Sequence, residues 1–205
     1  MISIRYSLIP KPCLILIAVL TLFLALPQAV TAADNPGDFI RTVGQNAINS
    51  LTNTEVTQTE REEVFRKILH QTFELKLIAR FALGRFWRRA SKAQQIEYIA
   101  LFEEFIVKAY AARFADYKGE NFIVGKVRNI NERDNLVQSE VVLANGRKIM
   151  VHWRVRSGKA LKIIDVLIEG VSMAITQRDQ FAAIINQNGG KIDGLLSALH
   201  KKMGR

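Results

Sequence analysis

A chain of 205 residues with 29 basic and 19 acidic side chains, a formal charge of +10 and a single cysteine has enough length for one domain with a substantial core. One cysteine excludes a disulfide framework, and three scattered histidines, His70, His152 and His200, with no ligand-spaced partner argue against a metal site. The positive balance raises anionic partners, of which nucleic acid is one.

The first 33 residues read as an export address. Arg5 and Lys11 precede an apolar run from Leu14 to Leu26, and small residues follow at Ala29, Thr31, Ala32 and Ala33, the layout of a secretory signal cleaved near Ala32 or Ala33. The run is shorter than the roughly 20 residues of a membrane span, and Pro27 interrupts it. Cys13 lies before the run and would leave with the signal, so no thiol nucleophile remains. The expected mature domain is therefore residues 34–205, exported from the cytoplasm. Without Arg5 and Lys11 the basic residues fall from 29 to 27 against 19 acidic ones, a balance of +8. For an exported chain the expected partners of that charge are an anionic membrane surface, a phosphate headgroup or an acidic docking protein rather than nucleic acid, the alternative being a solvated basic surface with no specific partner.

Asn35-Pro36-Gly37-Asp38 is turn chemistry before a helix from about Phe39 to Leu51. Thr59-x-x-Glu62 fits a capping box opening a second helix through Phe73, and a short helix from Leu75 should end near Gly84. Ser91-x-x-Gln94 opens the longest helix, Lys92 to Asp116. Its apolar residues cover most of its circumference, so it should be buried on more than one side, while Glu103, Glu104 and Lys108 argue against a membrane span.

Four strands follow, at Phe122–Ile130, Leu136–Leu143, Lys148–Arg156 and Leu161–Ile168, with turn residues such as Asn145-Gly146 and Ser157-Gly158 between them. Ile149, Val151, Trp153 and Val155 alternate with Lys148, Met150, His152, Arg154 and Arg156, the pattern of a sheet with one dry face. The last strand should turn directly into a helix at Glu169-Gly170. That helix runs from Val171 to Asn188, and a final one carries Ile192, Leu195, Leu196 and Leu199. The expected fold class is α+β, a four-stranded antiparallel curved sheet packed against helices.

Little in the chain suggests catalysis. Ser172 lacks a nucleophile-elbow glycine and no phosphate-cradling loop occurs. Asp165 and Glu169 are the carboxylates to weigh as general bases. Against that stand structural roles, Asp165 as a buried residue paired with an arginine and Glu169 as a helix cap.

The block Asp165-Val166-Leu167-Ile168-Glu169-Gly170-Val171-Ser172-Met173, followed by Arg178-Asp179-Gln180-Phe181, resembles the signature of the MlaC family, also known as toluene-tolerance proteins. Leu83-Gly84-Arg85-Phe86-Trp87-Arg88 is similar to that family's other fixed block. The resemblance implies a periplasmic, non-enzymatic, monomeric carrier that holds phospholipid in an apolar cavity enclosed by the sheet and helices, with no cofactor beyond its cargo. It also implies partners: an outer-membrane lipoprotein complex, and an inner-membrane ABC transporter with an MCE-type substrate-binding subunit, between which lipid moves to maintain outer-membrane asymmetry. A carrier of another lipid such as a hopanoid, or an enzyme on the same fold using Asp165 or Glu169, are the alternatives.

Two acyl chains hold roughly 30 methylenes, worth on the order of 20 kcal/mol if exposed to water, so such a carrier needs an apolar chamber. Candidate lining residues are Leu83, Trp87, Phe102, Phe105, Ile106 and Tyr110 on the helices. Val141, Ile149, Val151, Trp153 and Ile163 on the strands, and Val171 and Ile175 beyond them, complete the set. Arg85, Arg88 and Arg178 are the candidates for headgroup contact or docking, since guanidinium pairs with phosphate while stacking on an aromatic such as Trp87.

Overall fold

A computed structural model describes residues 35–52, 55–116 and 119–204, so the expected signal segment lies outside the described residues. Helix α1, Pro36–Leu51, starts earlier than its apolar spacing suggests, because the Asn35 side chain accepts the Gly37 N–H at 2.8 Å and Pro36 fits the first helical position. Helix α2, Gln58–Thr72, is opened by a capping box of Thr57 and Glu60 rather than Thr59 and Glu62. The two pairs overlap in sequence with the same spacing. The earlier one leaves Arg61 directed inward, where it is buried and its Nε donates to the Leu51 carbonyl at 2.8 Å, closing the end of α1.

Helix α3, Leu75–Leu83, stops at Gly84, whose φ of 56° and ψ of −132° suit only a residue without a β-carbon, and a 3-10 turn spans Gly84–Arg88. Helix α4, Lys92–Ala111, has the expected Ser91–Gln94 capping box, and its final turn is 3-10, Ala112–Asp116. It packs against α2, α3 and a C-terminal helix, which is why apolar residues ring it. Among the described residues no helix is long and apolar enough to cross a membrane.

The sheet has five strands, not four. Strands β1, Asn121–Asn129, β2, Asp134–Val142, β3, Lys148–Arg156, and β4, Lys162–Ile168, form an antiparallel meander, and β5, Val171–Ser172, pairs back onto β4. The β4–β5 link is a two-residue turn with Glu169 at φ 49° and Gly170 at φ 81°, the twisted hairpin geometry that needs positive φ at both positions. The chain therefore makes a tight hairpin before helix α5, Met173–Gln187, begins; α6, Ile192–Lys202, follows. Register shifts interrupt β1 between Val124 and Val127 and β3–β4 between Arg154 and Val155.

Three closed apolar clusters hold the domain. A helical one is built by α3 to α6, with Tyr98, Phe102 and Phe181 in mutual ring contact at about 6 Å. A sheet cluster joins Ile40 and Val43 of α1 to Val137, Val155, Leu161 and Ile163. The third sits between α1, α2 and α4 around Leu51, Phe65, Leu69 and Val107.

Candidate functional site

The strand registers place Phe122, Val124, Ser139, Val141, Ile149, Val151, Trp153, Val166 and Ile168 on the same face as Val137. This inner face is divided in two. At one end α1 presses onto it, and Val137, Val155 and Ile163 are completely buried. Toward the other end Val141, Ile149, Val151, Trp153 and Ile168 are only half-buried, an unusual condition for inward-facing branched and aromatic side chains.

One polar side chain, Ser139, organises this half-covered region. It is buried, donates to the Val151 carbonyl, and accepts the Trp153 indole N–H at 2.9 Å. The indole is thereby pinned against the inner face and meets the Phe122 ring edge-on at 6.2 Å. Phe73, which follows α2, packs against both the sheet cluster and the α1–α2–α4 cluster, while Ile106 of α4 packs against the latter and the helical cluster. A seam of half-buried apolar side chains thus runs where the three clusters meet.

The expected lining residues divide into three groups. Leu83, Phe102 and Ile163 lie in closed clusters. Trp87, Phe105, Ile106, Tyr110 and Trp153 are half-buried at cluster margins, and Val141, Ile149 and Val151 continue the inner face. Val171 and Ile175, by contrast, are 54% and 44% exposed, because α5 turns Ala174, Phe181 and Ile185 inward instead. Phe73 at the seam, and Phe122, Val124 and Val166 at the margin of the sheet cluster, are not among the expected lining residues, although alternation in β1 points to Phe122 and Val124.

The two candidate bases are engaged structurally. Asp165 is buried; its Oδ1 accepts the N–H groups of Val166 at 2.9 Å and Ala174 at 3.1 Å, and Oδ2 accepts the Ser172 hydroxyl at 2.6 Å. Ser172 in turn accepts the Ile175 N–H, so the pair caps α5 and ties it to β4. Arg154 stands opposite Asp165 across the strands, yet the carboxylate bonds to the helix instead, and Arg154 Nε is buried without a partner. Glu169 is not a helix cap: its carboxylate accepts the Met150 N–H at 2.6 Å and acts as a substitute for a strand neighbour. Among the described residues no cluster of three or more His, Cys, Asp or Glu is placed to hold a metal ion.

Arg85 and Arg178 line one open hollow of about 290 Å³ with Gly84, Phe86, Asp179 and Ala182. Arg178 lies 5.2 Å over the Phe81 ring and Arg85 5.0 Å over Phe86. The cation over Trp87 is Arg80, at 5.9 Å, and Arg88 is exposed at the end of the 3-10 turn. A second hollow, about 230 Å³, lies by Ile123, Met150 and His152 on the other side of the sheet. Neither is an enclosed apolar chamber.

The fold has a solved counterpart. The phospholipid-binding protein from Ralstonia solanacearum, determined in complex with a phospholipid, superposes with a TM-score of 0.73 over 80% of this chain and 94% of its own, at 22% identity. The MlaC protein family model matches residues 41–201, from within α1 to within α6 and including the whole sheet between them. With that match over most of its length, the chain belongs to the MlaC family.

Proposed function

We propose that this protein is a phospholipid carrier, a binding and transport protein rather than an enzyme. The observation that carries the reading is the half-buried apolar inner face between Val141 and Trp153, beside a seam crossed by Phe73 and Ile106. Closed packing of such residues is the rule, and side chains of this kind left half-covered are suited to acyl chains. The similarity in fold to a protein solved with bound phospholipid supports the same cargo here. In this reading acyl chains enter along the seam, spread over Val151, Trp153 and Phe122, and leave the headgroup at its edge. The engagement of Asp165 and Glu169 in backbone bonds supports a carrier over an acid–base enzyme.

The finer reading is a periplasmic shuttle, exported by a signal cleaved near Ala32 or Ala33. It exchanges lipid between an outer-membrane lipoprotein complex and an inner-membrane ABC transporter with an MCE-type subunit, and so maintains outer-membrane asymmetry. Organic extraction and mass spectrometry of the mature protein made in a Gram-negative host test the carrier. About one diacyl phospholipid per chain is expected; absence of lipid refutes the reading, and a hopanoid or other lipid changes the cargo.

A further inference from the structure

Between Glu74 and Glu97 the chain carries Lys76, Arg80, Arg85, Arg88, Arg89 and Lys92 and no carboxylate at all. This segment comprises α3, the 3-10 turn and the start of α4, and it does not hide its apolar residues. Leu77 and Phe81, one turn apart on α3, are 37% and 41% exposed. Helix α3 packs along α5, where Ile175 is 44% exposed and stands one turn before Arg178. The contact of Arg178 with the Phe81 ring joins the two helices into one surface, and the Arg178 methylenes pass beside Gly84 at the end of α3. The one carboxylate in the hollow beside Arg85 and Arg178 is Asp179.

We infer that this α3–α5 surface docks on an anionic phospholipid bilayer. Its charge is complementary to anionic headgroups, each lysine or arginine near such a surface contributing about 1 kcal/mol. Its apolar and cationic groups are interleaved rather than segregated: guanidinium carbons stand 5.0 to 5.9 Å over the rings of Phe81, Phe86 and Trp87. A shallow interfacial seat suits that arrangement, with Leu77, Phe81 and Ile175 at the acyl boundary and the arginines at phosphate level. The role separates Arg85 and Arg178 from the cargo site, because the hollow they line is built by α3, the 3-10 turn and α5 and includes no residue of the sheet.

Flotation of the mature protein with vesicles of phosphatidylglycerol or of phosphatidylcholine tests this surface. Binding to the anionic vesicles, weakening as salt shortens the screening length from about 10 Å at 0.1 M, is expected, with little binding to the zwitterionic ones. Arg80→Gln and Arg178→Gln should each weaken binding about fivefold. Phe81→Ser tests the apolar seat without disturbing a buried residue and should also weaken it, whereas Lys126→Gln on the exposed part of β1 should leave it unchanged. No binding by the unaltered protein overturns the inference and leaves an acidic protein as the partner of this surface; equal loss from Lys126→Gln, or equal binding to both vesicle types, overturns it as well. Bound lipid is measured on the same samples. Protein that retains its lipid but ignores vesicles fails only this inference, while protein without lipid fails the carrier reading independently.

Discussion

Gly44 of α1 lies so near Phe122 of β1 that a β-carbon built on it would stand 2.3 Å from the ring. The absent side chain is what lets the helix lie against the sheet at this point, next to the indole of Trp153. Ordinarily glycine to alanine inside a helix gains about 1 kcal/mol. Here Gly44→Ala should instead lower stability by on the order of 1 kcal/mol, because the ring or the helix must move. The urea midpoint decides it: an increase would mean that Phe122 swings aside freely.

Val151 distinguishes chamber from core. It is half-buried on the inner face, beyond the part that α1 closes. Val151→Trp should occupy acyl volume, reducing bound lipid while the delipidated protein keeps its urea midpoint. In a filled core the same change costs about 1 to 3 kcal/mol. Full lipid content with an early midpoint would reassign this position to the core. The comparison uses delipidated protein because bound ligand itself raises stability.

Asp165 holds β4 to the start of α5. Asp165→Ala leaves two amides and a hydroxyl without their acceptor and should cost about 2 to 3 kcal/mol. Asp165→Asn keeps one acceptor oxygen for the Val166 and Ala174 amides and should cost less. Both variants should carry lipid when folded, measured by mass spectrometry. If Asp165→Asn instead abolished a turnover while remaining folded and lipid-bound, the residue would be a base after all.

Tyr98 makes stability sensitive to alkali. Its hydroxyl donates to the Ala79 carbonyl at 2.9 Å, and burial pushes the phenol well above its usual value of 10.0. Below about pH 10 the phenol is neutral in both states and its contribution is complete. Above that the unfolded chain releases a proton that the folded one retains, so stability falls as pH rises. Tyr98→Phe should lose about 1 kcal/mol at neutral pH and show a shallower alkaline decline, read from urea midpoints between pH 8 and 11, values chosen to bracket the usual phenol range.

How much of this was visible in the sequence differs by element. Strand β3 is legible from its alternation and β1, β2 and β4 from the turn residues that bound them, and the Ser91–Gln94 cap stands where expected. The short β5 has only two residues, too few for alternation, so the Glu169–Gly170 hairpin read as a plain strand-to-helix turn. The α2 cap was misplaced because Thr57 and Thr59 each have a glutamate three residues on, and the choice is made by Arg61 reaching Leu51 in space. For the site, periodicity identifies a face but not what covers it: Val137 and Val151 point the same way, yet only Val137 lies under α1. Val171 and Ile175 continue the apolar run beyond β4, whereas the inward positions of α5 are Ala174, Phe181 and Ile185.

The separateness of the helical and sheet clusters has a consequence for exchange experiments. They share no buried residue, and side chains such as Phe73 and Ile106 bridge to them from the cluster between α1, α2 and α4. Amide hydrogens around Tyr98 and Phe181 should therefore open as one cooperative unit and those of β2 to β4 as another, each with its own free energy. Cargo lying along the seam would slow exchange in the strands more than in α6. Under the proposed carrier reading, protection lost first in the strands, with the helical half still protected, would be the mark of a domain that opens at its sheet rather than throughout.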